Sequence, residues 1–199
     1  MLGLDLVQPV RSVRDLGIYL DSDLSMRTHI TRAVSSCFAV LRQIRSISRS
    51  ISRSVLQSLI VSLVLSRLDY GSRTVAGLPA RLLDKLQSVL NAAARLVYGS
   101  RKYDHATPLL RDLHWLRVPE RIAFRFAVLV YRRQHGLAPP YLADELHRVA
   151  DVGSRQRLHS AATTTLVVPN MAHSTIGDRS FPVAAARVWN SLPPLVTSS

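Results

Sequence analysis

Three successive stretches carry apolar residues at intervals of three and four, separated by glycine and proline, and this pattern restricts the chain to a helical fold. In residues 25–47 the apolar positions are Ile30, Val34, Cys37, Phe38, Leu41 and Ile44, a single stripe of an amphipathic helix. Residues 52–69 place Val55, Leu56, Leu59, Ile60, Leu63, Val64 and Leu68 around most of a second helix, which predicts the central, buried member of a bundle. Gly71 and Gly77 bracket a loop, Pro79 fits the first turn of a third helix, and Gly99 stops it after Tyr98. Its inward face reads Leu82, Leu86, Val89, Leu90, Ala93, Leu96 and Val97. Three such helices with short connections predict an antiparallel bundle in a mainly α fold. The 199 residues, 47% hydrophobic, suffice for a core that buries roughly 70% of the unfolded surface.

The flanking regions read differently. Val10, Val13, Leu16, Ile18 and Leu20 are spaced for short strands around Gly17, so an N-terminal β-hairpin is expected. Thr107-Pro108 has the form of a helix cap followed by a first-turn proline, starting a short helix to about Trp115. Val118-Pro119-Glu120 restarts the pattern in a helix to His135, stopped by Gly136, and 138–142 opens a further short helix through about Val149. After Asp151 the composition turns to Ser, Thr, Arg and small residues, which sets a boundary near 150. Beyond it, residues 163–168 have the β-branched content of a strand, and 182–190 form a last helix ended by Pro193-Pro194.

The punctuated stretch 107–142 does not stand alone. Leu16-Gly17-Ile18-Tyr19-Leu20-Asp21, Ser66-Arg67-Leu68-Asp69-Tyr70, the run 86–96 and Val188-Trp189-Asn190-Ser191-Leu192-Pro193 occur with it in an order that resembles the C-terminal part of non-LTR (LINE-type, jockey or chicken-repeat-like) retrotransposon reverse transcriptases. The resemblance covers nearly the whole chain. It implies that 1–24 is a palm-edge, primer-grip-like β segment, 25–100 a thumb-like helical bundle, 101–150 a C-terminal helical extension and 151–199 an irregular basic tail with a short strand and a last helix. It further implies that the catalytic palm lies before Met1 and that the family sequence continues past Ser199. On this reading the parent is an RNA-directed DNA polymerase needing Mg, while this chain holds no cofactor and does not catalyse synthesis by itself. Its implied partners are the missing palm domain and an RNA/DNA template–primer, held through the phosphate backbone.

The carboxylates agree with that division. A polymerase centre needs clustered acids to hold two metal ions about 4 Å apart. Tyr19-Leu20-Asp21-Ser22-Asp23 superficially imitates such a turn, but Ser22 separates the aspartates, and a turn capping the first helix accounts for them. His105, His114, His135 and His147 lack metal-ligand spacing, and no nucleophile elbow or glycine-rich phosphate loop occurs. Cys37 is the single cysteine and falls on an apolar helical face, where a buried thiol in a reducing compartment is expected. The first ten residues have no secretory pattern, so the expected location is intracellular, nuclear or cytoplasmic. The uncharged run 54–66 is shorter than the roughly 20 residues of a membrane span and contains four serines.

What remains is positive charge. Lys and Arg total 26 against 13 Asp and Glu, a formal +13 and a pI near 11.2, which favours phosphate-bearing partners or anionic surfaces. Only Lys85 and Lys102 are lysines, and arginine both forks onto phosphate and stacks on bases, although coding bias alone can produce such a skew. From Arg27 to Arg53 the chain carries arginines and no acid; Arg42, Arg45 and Arg49 stand at i, i+3 and i+7, with Arg53 following. The repeat in 46–54, Ser-Ile-Ser-Arg-Ser-Ile-Ser-Arg-Ser, reads as a loop with helix caps. The nucleic-acid-binding candidates are Arg42, Arg45, Arg49, Arg53, Arg101 and Lys102. A second group, Arg101, Lys102, Arg111, Arg117, Arg121, Arg125, Arg132 and Arg133, is diluted by Asp104, Asp112 and Glu120, and beside it Tyr103 and Trp115 offer stacking surfaces, with Trp115 read as core. Two rivals stand: arginines that merely complement helix ends and cover core edges in a helical protein-interaction fragment, and peripheral attachment of the basic helix to anionic membrane.

Overall fold

The computed structural model describes residues 10–151, 164–171 and 174–197. It is mainly helical, with a short two-stranded antiparallel N-terminal hairpin. The chain divides into two compact units, Met1–Gly71 with Ala80–Leu113, and Ser72–Pro79 with His114–Ser199. That partition differs from the composition boundary near 150: packing groups 164–197 with 114–151.

In the first unit the hairpin joins β1 (Ser12–Asp15) to β2 (Ile18–Asp21) through two residues, Leu16 at φ 44° and Gly17 at φ 82°. Positive φ at both positions is the twist-matched hairpin turn, and glycine makes the second position inexpensive. Tyr70 holds this turn, its hydroxyl donating to the Leu16 carbonyl and its ring lying where a side chain at position 17 would come within 3.2 Å. The hairpin then feeds α1 (Arg27–Ile47). Asp21 Oδ2 accepts from the Thr28 N–H and the Ser25 hydroxyl, both at 3.1 Å, and Asp23 Oδ1 accepts from the Ser25 N–H at 3.0 Å. Asp21 therefore caps α1, supplying an acceptor to an N–H that the helix itself cannot satisfy, while Asp23 holds the turn that precedes it.

The second rod of this unit is α2 (Arg53–Ile60), a π-helical turn (Val61–Leu65) and α3 (Ser66–Asp69). In the π turn the Ser66 N–H bonds back five residues to the Val61 carbonyl, and the Ser66 hydroxyl bonds to the Ser62 carbonyl. Leu56, Ile60, Val64 and Leu65 are buried, whereas Val55, Val61 and Leu63 are 48%, 42% and 41% exposed. The expectation of a central helix buried on most faces is corrected: this rod buries one stripe and leaves another open. Buried Cys37 of α1 lies against the π turn, 3.9 Å from the Val64 carbonyl. Opposite them α4 (Ala80–Tyr98) buries Leu82, Leu86, Val89, Leu90, Ala93, Ala94 and Val97, and α5 (Ala106–Asp112) adds Ala106 and Leu110. Pro79 thus precedes the third helix instead of beginning it. His105, not Thr107, is the cap residue of α5, and Pro108 sits within its first turn, where a missing N–H leaves no helical bond unmade.

The second unit is organised by α6 (Val118–Gln134) and α9 (Phe181–Asn190). Glu120 Oε2 accepts from the Arg117 N–H at 2.9 Å, closing the start of α6. Ile122, Phe126 and Val130 of α6 and Val183, Ala185, Ala186 and Trp189 of α9 are buried, the two alanines allowing close approach. The Phe126 and Phe181 rings stack with centroids 6.0 Å apart. Trp115, 9% exposed, belongs to this core, while Tyr103 of the first unit is 88% exposed.

Two expectations are corrected in this unit. The helix expected through Val149 is only α7 (Pro140–Ala143), followed by a 3-10 turn at Val149–Asp151. The strand expected at 163–168 is, within the described residues 164–168, a single antiparallel bridge between Arg148 and Leu166. Its outer side meets a side chain where a ladder would need a strand: Asn190 Oδ1 accepts from the Leu166 N–H and Nδ2 donates to the Leu166 carbonyl, both at 2.9 Å. Trp189 Nε1 donates to the Thr164 carbonyl at 3.0 Å. The short helices α8 (Ser174–Gly177) and α10 (Pro194–Thr197) flank α9. Among the described residues no helix is long and apolar enough to cross a membrane.

Candidate nucleic-acid interface

The first unit contains a cleft of about 960 Å³ between the C-terminal parts of α1 and α4 and the N-terminus of α2. Three local sequence devices shape it. The first is the serine-arginine repeat, at the end of α1: the Ser46 hydroxyl donates to the Gln43 carbonyl at 2.7 Å and the Ser48 hydroxyl to the Arg45 carbonyl at 2.8 Å, side-chain bonds to the backbone of the last turns. The second is Ser52, whose extended backbone and hydroxyl cap α2, accepting from the Val55 N–H at 3.4 Å. The third is Gly99, left-handed at φ 65°, with its N–H on the Leu96 carbonyl and the Ser100 N–H on the Arg95 carbonyl. This pair of bonds is the glycine C-cap that reverses a chain at a helix end, and it folds 100–102 back along the cleft.

All six candidate cations line this cleft. Arg42 and Arg45 come from α1 at i, i+3, which puts them on one face. Arg49 lies beyond the helix end at Ser48 and reaches the same space from the connecting segment, so the regular i, i+7 relation does not hold for it. Arg53 enters from the start of α2, and Arg101 and Lys102 from the segment after Gly99. The six are exposed, and among the described residues no aspartate or glutamate lines the cleft. The floor is apolar, made in part by Phe38, Leu41, Leu56 and Val97.

Two further lining residues escape a reading of the sequence alone, Arg95 and Tyr98. The Arg53 guanidinium carbon stands 3.9 Å from the Tyr98 ring centroid, a cation–π contact that joins the first residue of α2 to the last of α4. Arg95 Nε donates to the Asp104 carbonyl at 2.9 Å, and the Asp104 carboxylate accepts from the Arg101 N–H at 2.6 Å. Asp104 therefore organises the turn that carries Arg101 and Lys102 through a backbone bond. The i, i+3 spacing of Arg95 and Tyr98 before a stop glycine was the available signal. Recognising it required knowing that this helix end meets the end of α1.

The second basic group is divided between the two units: Arg101, Lys102 and Arg111 are in the first, and Arg117, Arg121, Arg125, Arg132 and Arg133 are in the second. Arg133 has a local structural task, donating to the Ala143 and Leu146 carbonyls, which ties α6 to the segment after α7.

Among the described residues no group of three or more His, Cys, Asp or Glu side chains is placed to hold a metal ion. Burial alone would raise the Asp21 carboxyl, but hydrogen bonds from the Thr28 side chain and backbone and from Ser25 outweigh it and hold the group below the ordinary carboxyl range. Asp23 is lowered by its bonds to Ser25. Burial depresses His29, partly offset by the Asp21 charge, and burial raises the Cys37 thiol against the opposing influence of Arg67. Asp21 is thus occupied in capping α1 and Asp23 in holding the Ser25 N–H ahead of it. Comparison with protein-family models, with curated proteins and with solved structures finds no match to this chain.

Proposed function

We propose that this chain is a nucleic-acid-gripping, non-catalytic part of a LINE-type RNA-directed DNA polymerase, holding template–primer through its phosphate backbone while synthesis is carried out elsewhere in the parent protein. The observation that carries this reading is the convergence of Arg42, Arg45, Arg49, Arg53, Arg101 and Lys102, joined by Arg95, on one cleft with no lining carboxylate among the described residues. Such a concentration of like charge raises the local concentration of an anionic chain and releases its counterions on contact. The order of motifs that resembles the polymerase family supplies the second support, and the bundle flanked by a hairpin suits the thumb-like role that the resemblance implies.

Fluorescence anisotropy of purified 1–199 with labelled oligonucleotides tests it. Backbone binding gives a log–log salt slope of about −0.7 per neutralised single-strand phosphate, or about −0.9 for duplex, with weak sequence preference. The Arg42→Ala/Arg45→Ala/Arg49→Ala variant should lower the single-strand slope by about 2, the share of three contacts. A parent slope retained in that variant removes these residues from the contact surface. Metal-dependent nucleotide addition by 1–199 would overturn the non-catalytic assignment.

The rival, a helical protein-interaction fragment, draws on the exposed apolar side chains of Val55, Val61 and Leu63. It predicts salt-insensitive self-association or partner binding, which light scattering coupled to size exclusion measures directly.

A further inference from the structure

Building on the nucleic-acid reading above, we infer that the basic cleft takes a single-stranded segment and docks one nucleobase on the Arg53–Tyr98 pair, so that it recognises bases as well as phosphates. The cleft is more than a row of charges. Phosphate contact alone asks only for cations on an accessible surface, and a duplex keeps its base faces stacked inside. Here the cations rim a concavity whose floor includes Phe38, Leu41 and Leu56, and whose volume, about 960 Å³, is that of a site for an organic ligand. A single strand offers both chemistries at once, phosphates for the rim and an unstacked flat base for the interior.

Arg53 and Tyr98 give that base a prepared surface. An exposed arginine ordinarily samples many rotamers, and stacking a base on it costs the freedom that is lost. Tyr98 reduces that cost by holding the Arg53 guanidinium over its ring at 3.9 Å before any ligand arrives. Guanidinium planes stack on bases, so a base laid on Arg53 extends a stack already begun on Tyr98. Tyr98 is itself fixed by its position at the end of α4, immediately before the Gly99 reversal, and Arg53 by the Ser52-capped start of α2. Because every base presents a π face, the site discriminates strandedness and the presence of bases more than sequence.

The experiment compares four labelled ligands on full-length 1–199 at fixed salt: single-stranded RNA, single-stranded DNA of the same sequence, the corresponding DNA duplex, and an abasic oligonucleotide with the same number of phosphates. Both base-bearing single strands should bind roughly 5- to 150-fold more tightly than the abasic strand, the range that one stacked base supplies. Tyr98→Leu and Arg53→Lys should each erase most of that advantage, and Tyr98→Leu should leave abasic binding within about twofold and retain the parent salt slope. Tyr98→Phe, which keeps the ring, should behave as the parent and guards against a folding defect. Equal affinity for abasic and base-bearing strands, or a duplex bound as tightly as the single strands, overturns the base-docking inference while leaving backbone binding in place. Failure to bind any of the four at low salt overturns both readings.

Discussion

Asn190→Ala should destabilise the second unit by about 2–4 kcal/mol, judged from the groups it abandons. Leu166 is 1% exposed, and its N–H and C=O bond at 2.9 Å to the Asn190 side-chain amide. The neighbouring bridge cannot replace these bonds, because on that side the Val149 and Val167 N–H groups pair with the Thr165 and His147 carbonyls. Truncation therefore leaves a buried donor and a buried acceptor, each costing about 1–3 kcal/mol, with the lower end reached where water enters. At about 2–4 °C per kcal/mol for a chain of this length, the melting transition should fall by roughly 5–15 °C. Asn190→Asp keeps the acceptor for the Leu166 N–H but turns a carboxylate toward the Leu166 carbonyl, so it should be at least as damaging at neutral pH and partly relieved in acid, where a protonated carboxyl donates again. Trp115 and Trp189 both belong to the second unit, so tryptophan fluorescence during guanidinium unfolding reports on it selectively. Hydrogen exchange at the Leu166 amide supplies the local measurement. A variant within about 0.5 kcal/mol of the parent, with Leu166 protection unchanged, would show that this amide clamp does not hold the segment.

Asp21→Ala should cost about 1 kcal/mol through loss of the α1 cap, measured by chemical denaturation. Because the folded-state carboxyl lies below its unfolded value of roughly 4, the contribution of Asp21 is complete above that pH and is lost as pH falls through the lowered folded value; Asp21→Asn should lack this acid-dependent step. The Cys37 thiol, buried and raised by burial, should resist a water-soluble disulfide reagent in the native protein and titrate fully in denaturant; prompt native labelling would contradict its placement. Gly99→Ala forces a β-carbon into φ 65° and should destabilise the first unit by about 1 kcal/mol; since nothing lies within 4 Å of that added carbon, the cost is conformational, and Gly99→Asn should restore part of it.

The helices that could be read from the sequence are those whose apolar stripe is also their packing stripe. In α1, α4, α6 and α9 the period of buried residues survives into the fold, because each rod meets its neighbours along one face. The rod from Arg53 to Asp69 misled because Val55, Val61 and Leu63 are as apolar as Leu56 and Ile60, and hydrophobicity alone does not say which side is covered. Residues 164–168 misled for another reason: β-branched content announces an extended chain but not its partner, and here one partner is an amide side chain from α9. Several motifs carrying the family resemblance proved to have architectural tasks. Tyr70 secures the Leu16-Gly17 turn, Asp21 caps α1, and Trp189-Asn190 fastens 164–166. The candidate cleft was legible as charge and as loop chemistry, because serine caps and a stop glycine are local signals. Its completion by Arg95 and Tyr98 was not, since it depends on two helix ends distant in sequence arriving side by side.

The π turn at Val61–Leu65 has a consequence for length variation. A turn closed by a bond across five residues holds one residue more than the α ladder on either side requires. Deleting a single residue there converts the rod to continuous α-helix without changing the phase of Leu56 and Ile60 before it or of Arg67 and Tyr70 after it. Arg67 Nη1 donates to the Ser36 hydroxyl at 2.6 Å and Tyr70 reaches the hairpin, while at the other end Arg53 stands over the Tyr98 ring, so both ends of the rod are anchored. A deletion elsewhere in the rod rotates one anchor away from its target by about 100°, the turn per residue of an α-helix. The stretch 61–65 is therefore where this fold tolerates an indel inside a helix, a place where two related chains could differ by one residue and still superimpose on both sides.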